Sequence, residues 1–288
     1  IYSNDPLNNP DTIRVAFTAA GDSEIALSDS CLDLDSIIAY TTHTDSLYIY
    51  NTGCDTLTVT GMSNANAAFT TLSVLSRSRR VIAGDDDGVQ YSLGGSPVLD
   101  NPDHRLGNYE AIGLRFQEVT IPRGAAITNA YIQFTGEQAL SGQTDLVISG
   151  EAIGDAPVFT TATNDITNRM KTSSVSWDTL PAWVIGGQYD SPDLKDIVDE
   201  VVNLGGWESG NSMAFIIEGS GRRDAESFEG NASAAPLLVI EYVADSFYVL
   251  PGDSHLVEVI FSPTSVGIFE DTLVILNDDT NLTVCLTG

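Results

Sequence analysis

Residues 46–60 read SLYIYNTGCDTLTVT. Two runs of alternating apolar and polar residues, 46–50 and 56–60, flank the turn Asn51-Thr52-Gly53. Period-two alternation rich in β-branched and aromatic residues marks strands with one buried face. Working outward, similar runs recur at 130–135 (AYIQFT), 213–218 (MAFIIE), 237–242 (LLVIEY) and 256–261 (LVEVIF), bounded by Gly, Asn, Asp and Pro. Many short strands with turn signals between them predict an all-β chain built of sandwiches or jelly rolls. One stretch reads as helix: 191–204 (SPDLKDIVDEVVNL), with Ser191 as the expected cap, Pro192 in the first turn and Gly205-Gly206 as the stop.

Charge divides the chain. It has 288 residues, with 40 acids against 12 bases and a formal net charge of −28. Such a chain repels a nucleic-acid backbone, so that class of partner is excluded. It contains no apolar run long enough to span a membrane as a helix. Eleven of the twelve bases lie between Arg77 and Arg223, and the flanks hold Arg14 alone. Two stretches of one composition enclosing another predict an insertion into a split host. Residues 23–76 plus 244–288 together supply about the seven strands of a small sandwich, and neither part closes two sheets alone. The middle, 77–243, is then the guest.

The first 22 residues form a third piece. Residues 1–6 (IYSNDP) followed by 12–18 (TIRVAFT) echo 275–280 (ILNDDT) followed by 281–287 (NLTVCLT). A last hairpin placed first belongs to a preceding or neighbouring domain. Either the chain is one period of a tandem array, or Ile1, Tyr2, Thr12, Ile13, Val15 and Phe17 complete another subunit by strand addition. A start at Ile1 rather than Met leads us to expect a mature or excised segment.

The host carries Tyr50-Asn51-Thr52-Gly53-Cys54-Asp55-Thr56-Leu57, then Leu250-Pro251-Gly252-Asp253-Ser254. It continues with Val259-Ile260-Phe261-Ser262-Pro263-Thr264 and Gly267-Ile268-Phe269-Glu270-Asp271-Thr272-Leu273, and ends in Leu286-Thr287-Gly288. These stretches resemble the Hydin-like, choice-of-anchor D immunoglobulin-like modules of bacterial surface proteins. The guest resembles a DNRLRE-type jelly roll allied to carbohydrate-binding modules, through residues 119–130 (VTIPRGAAITNA), the expected helix with Gly206-Trp207, Glu226-Ser227-Phe228-Glu229-Gly230 and residues 235–242 (APLLVIEY). The resemblances imply an immunoglobulin-like sandwich interrupted by an inserted jelly roll with one short helix. They also imply a non-catalytic guest that packs beside or binds polysaccharide.

Candidate chemistry is sparse. Asp85, Asp86 and Asp87 sit between Gly84 and Gly88, with Asp100, Asp103 and Glu110 following. Clustered carboxylates on Gly-flexible loops suit Ca²⁺; a solvated acidic loop is the competing reading. Trp177 and Trp183 flank Pro181 in a loop-like stretch and could stack a sugar ring, or pack in a core. Arg222 and Arg223 could hold an acidic glycan bidentately, or pair with the surplus acids. Cys31, Cys54 and Cys285 allow one disulfide and one free thiol, or three thiols. Spacing does not choose the pair, and Cys31 with Cys285, on neighbouring first and last strands, is preferred. No triad, HExxH, P-loop or dinucleotide fingerprint is present. The expected function is a non-enzymatic extracellular module of a cell-surface stalk or filament, self-associating or repeated end to end. A polysaccharide-binding module presented on the sandwich is the alternative.

Overall fold

A computed structural model describes residues 21–108 and 111–288. The strands are β1 (Ile25–Leu27), β2 (Cys31–Asp33), β3 (His43–Asn51), β4 (Leu57–Ser63), β5 (Phe69–Arg80), β6 (Asp87–Gln90), β7 (Asp103–Leu106), β8 (Ala111–Phe116), β9 (Ala126–Thr135) and β10 (Asp145–Glu151). They continue as β11 (Lys171–Trp177), β12 (Gln188–Asp190), β13 (Met213–Ser220), β14 (Arg223–Glu226), β15 (Leu237–Val243), β16 (Phe247–Val249), β17 (Ser254–Phe261), β18 (Glu270–Asn277) and β19 (Leu282–Thr287). The helices are α1 (Lys195–Val202) and α2 (Phe228–Asn231). The protein is all-β, and no helix among the described residues is long and apolar enough to cross a membrane. The residues expected to form the terminal strand (Ile1, Tyr2, Thr12, Ile13, Val15, Phe17) and Glu110 lie outside the described residues.

Residues 21–73 with Asp245–Gly288 form one compact unit, and Val74–Ala244 the other. In the first, one sheet runs β1-β3-β17-β5, with β5 contributing its residues 69–73. The facing sheet runs β16-β4-β18-β19-β2. The first sheet has the A-B-E-D order of an immunoglobulin-like sandwich, and the second has the C-F-G order with β16 and β2 added at its two edges. The first strand switches sheets: β1 pairs antiparallel with β3, and β2 lies parallel to β19. Alternate residues of each strand point inward, so Leu47, Ile49, Leu57, Val59, Val257, Val259, Leu273, Ile275, Val284 and Leu286 fill the core. Phe69 stacks on Phe261 with ring centroids 5.0 Å apart.

The stretch 46–60 crosses between the sheets rather than closing a hairpin, since β3 and β4 belong to different ones. Asn51 makes the crossing possible. Its buried Nδ2 donates to Asp55 O at 2.7 Å and Val249 O at 2.8 Å, while Oδ1 accepts from Gly53 N at 3.0 Å. One side chain thus satisfies backbone groups that the turn would strand. At the far edge, Cys31 and Cys285 sit in register with Cα atoms 4.4 Å apart and are joined as a disulfide, while Cys54 is a free, exposed thiol.

The second unit is also two-layered. Residues 74–80 of β5 continue into β15-β9-β12, and the other layer is β11-β10-β13-β8-β6. Leu114, Phe116, Ile132, Phe134, Ile148, Phe215, Leu238 and Ile240 meet between them. Strands β8 and β13 are buried on both faces, because Phe159 and Ile166 of a long loop cover Ala111, Ala214 and Ile216 outside. Gly113 lies under the Phe159 ring, where any Cβ would collide.

The helix is shorter than the sequence suggested. α1 begins at Lys195, and Ser191 does not cap it: Ser191 Oγ accepts from Ile132 N of β9 at 3.0 Å. Asp193 Oδ1 takes Lys195 N at 2.9 Å instead. Ile197, Val198, Val201 and Val202 are buried, which seats α1 against the core. A second helix, α2, was not expected. Ser227 caps it by accepting from Gly230 N at 3.1 Å.

Candidate functional site

The polar interior of the insert gathers where β6, the β7–β14 ribbon and α2 meet. The run Asp85-Asp86-Asp87 leads into a strand, so successive side chains turn to different surroundings. Asp86 is buried and bonds Arg115 at 2.5 Å, with Gln117 Nε2 also donating to it. Asp87 Oδ2 pairs with buried His104 Nε2 at 2.9 Å and accepts from Phe228 N at 2.9 Å. Protein donors therefore occupy both oxygens of Asp86 and Oδ2 of Asp87, and the expected calcium loop of Asp85, Asp86, Asp87, Asp100 and Asp103 has no common centre among the described residues. Asp100 is exposed, and Asp103 faces the other side of the ribbon from His104.

Glu229 of α2 joins this cluster. Its residue surface is largely open, but a methyl at Gly84 would collide with its Oε1. Burial of the carboxyl, then the negative charge of Asp87, push Glu229 up to about 7.

On the face of the ribbon opposite His104, buried Asp103 and Asp224 meet half-buried Glu137. They are the trio among the described residues whose potential ligand atoms all lie within 4.8 Å of one another. Arginines already serve two of them. Arg222 grips Asp224 through both carboxylate oxygens, and Arg105 Nε bonds Asp103 at 2.8 Å. Glu137 Oε2 is buried without a hydrogen-bond partner. Burial, then the charge of Glu137, raises the Glu226 carboxyl above its ordinary range.

The expected glycan contacts lie elsewhere. Trp183 is 1% exposed and Trp177 7%. Trp183 stacks flat on Tyr189 at 4.5 Å, and Phe134 sits 5.7 Å from Trp177. Both ring systems are core, so neither offers a face to a sugar. Arg223 is likewise 1% exposed. Its guanidinium makes five hydrogen bonds, to the carbonyls of Pro181, Leu180, Gly142 and Arg222 and to Thr144 Oγ1, all between 2.8 and 2.9 Å. Every donor is used internally. Burial lowers its pKa from the usual arginine value. Arg222 is spent on Asp224. The signal missed in the sequence is Gly142 and Pro181, whose turns present the carbonyls that cage Arg223.

No family model matches the sequence, and no curated protein matches it. Among solved structures, the chain is similar to a mutant VP2 protein of infectious bursal disease virus from derived T=1 particles, at 12% identity and a TM-score of 0.19. That match covers 74% of this chain and 43% of the other. A similarity of that size carries no argument about fold or function.

Proposed function

We propose that the chain is a non-enzymatic, extracellular structural module: a link of a surface stalk or filament, joined end to end by strand complementation. One observation carries this reading. The sandwich closes all its ABED and CFG strands from described residues, so the strand-patterned segment 12–18 is not required by it. A spare strand suits a second sandwich. The disulfide between β2 and β19 accords with an oxidising compartment. The polysaccharide-binding alternative loses support, because Trp177, Trp183 and Arg223 are committed inside the insert.

Sedimentation velocity of the full chain over a wide concentration range tests the proposal. The expected result is a concentration-dependent series of oligomers without a closed limit, as head-to-tail contacts produce. A single monomeric species throughout would overturn it.

A further inference from the structure

The most exposed large apolar side chains among the described residues gather at one pole of the sandwich. Val266 is 96% exposed, Ile268 89%, Tyr40 82% and Ile38 78%. They come from two loops, 34–42 and 262–269, tied together by Tyr40 N donating to Pro263 O at 2.7 Å. Tyr40 is held at φ +67°, a left-handed conformation unusual for an aromatic residue. The groove between the loops is lined by residues including Ile37, Phe261, Pro263 and Phe269, and no charged side chain lines it. Soluble chains seldom gather such side chains in a single patch without a partner. Beside it, residues 43–47 of β3 have no partner on their outer side among the described residues, since β1 pairs only with 49–51.

We infer that this pole receives segment 12–18 (TIRVAFT) of a second copy, with Ile13, Val15 and Phe17 over the apolar patch. Two observations select that occupant, and the inference rests on the end-to-end reading above. The first is reach. Gly21 lies against Cys54, at the Asn51 end of β3. The patch lies at the His43 end, roughly 27 Å away at ~3.4 Å per residue. Phe17 precedes Gly21 by four residues, which span at most about 14 Å, and Val15 falls short as well. The second is charge. Residues 21–73 and 245–288 contain no Lys or Arg, whereas the incoming segment carries Arg14. An anionic sandwich attracts that segment and repels its own acidic kind elsewhere.

The test compares the full chain with Ile268→Asp and Phe17→Asp by sedimentation velocity, with thermal melts of each to verify folding. Each variant should weaken association at least about tenfold. Mixing the two should restore a one-to-one pair and nothing larger, because one intact patch then meets one intact segment. Association unchanged in Ile268→Asp overturns this surface while leaving end-to-end assembly standing. Association lost in Ile268→Asp but kept in Phe17→Asp overturns the occupant. A wild-type chain that is monomeric at every concentration overturns both readings.

Discussion

At the scale of single residues, Arg223 is a buried polar group of the insert whose donors are all used. Replacing Arg223 by Met would keep the volume and abandon five acceptors, four of them backbone carbonyls. Leaving buried acceptors unpaired is among the few ways a point change costs several kcal/mol. The insert should lose about 3 kcal/mol, read as a lowered urea midpoint. Glu229 gives a pH signature. Its carboxyl rises from 4.5 to about 7 in the folded chain, so the native state holds that proton more tightly than the unfolded state does. The stabilisation is complete below pH 4.5 and is lost as pH rises through about 7. Thermal melts should therefore show the insert less stable at pH 8 than at pH 5. Glu229→Gln should flatten that slope; an unchanged slope would place its origin elsewhere. Sites were poorly legible at this scale. Adjacent acids at 85–87 look like one loop in sequence, yet the start of a strand sends Asp86 to Arg115 and Asp87 to His104. Trp183 looks loop-bound beside Pro181 because the ring that covers it, Tyr189, arrives on a different strand.

At the scale of elements, period was legible and endpoints were not. The buried stripe of α1 could be read from 3.6-residue spacing. Its first turn could not, because Ser191 is diverted by a β9 amide that only the fold supplies. Helix α2 has four residues, too few for any periodic signal. The strands were readable because alternation survives wherever one face is buried. Strands β8 and β13, buried on both faces, read instead as apolar runs. Gly113 reports that second buried face: Gly113→Ala would drive a methyl into the Phe159 ring and should cost roughly 1–3 kcal/mol by overpacking. The β2–β19 disulfide closes a loop with a sequence separation of 254. Loop-closure entropy alone would put its contribution near 5 kcal/mol, and engineered cases usually return less. We expect Cys31→Ala with Cys285→Ala to cost about 2–4 kcal/mol. The comparison is a melt of that double variant against the intact chain, with Cys54→Ala as a control that should not move.

At the scale of the whole molecule, the break in composition has a physical meaning. Every ion pair among the described residues lies within Val74–Ala244, among them Arg115 with Asp86, Arg169 with Glu151 and Asp165, Lys171 with Glu218, and Arg222 with Asp224. That unit holds 11 of the 12 bases against 24 of the 40 acids, and pairs several of its acids with its own cations. The sandwich has no Lys or Arg among residues 21–73 and 245–288, and relies on an apolar core and one disulfide. The two units should then answer to different agents. Reductant should lower a melting transition belonging to the sandwich and leave that of the insert in place. Raising salt from low to physiological ionic strength should raise the sandwich transition, because screening relieves self-repulsion over about 8–10 Å. The buried ion pairs of the insert should respond far less. The decisive material is residues 74–244 expressed alone. With its own two-sheet core and internal ion pairs it should fold, melt cooperatively, and keep the pH slope set by Glu229. A fragment that stays unfolded, or loses that slope while folded, would mean that its stability depends on groups outside Val74–Ala244.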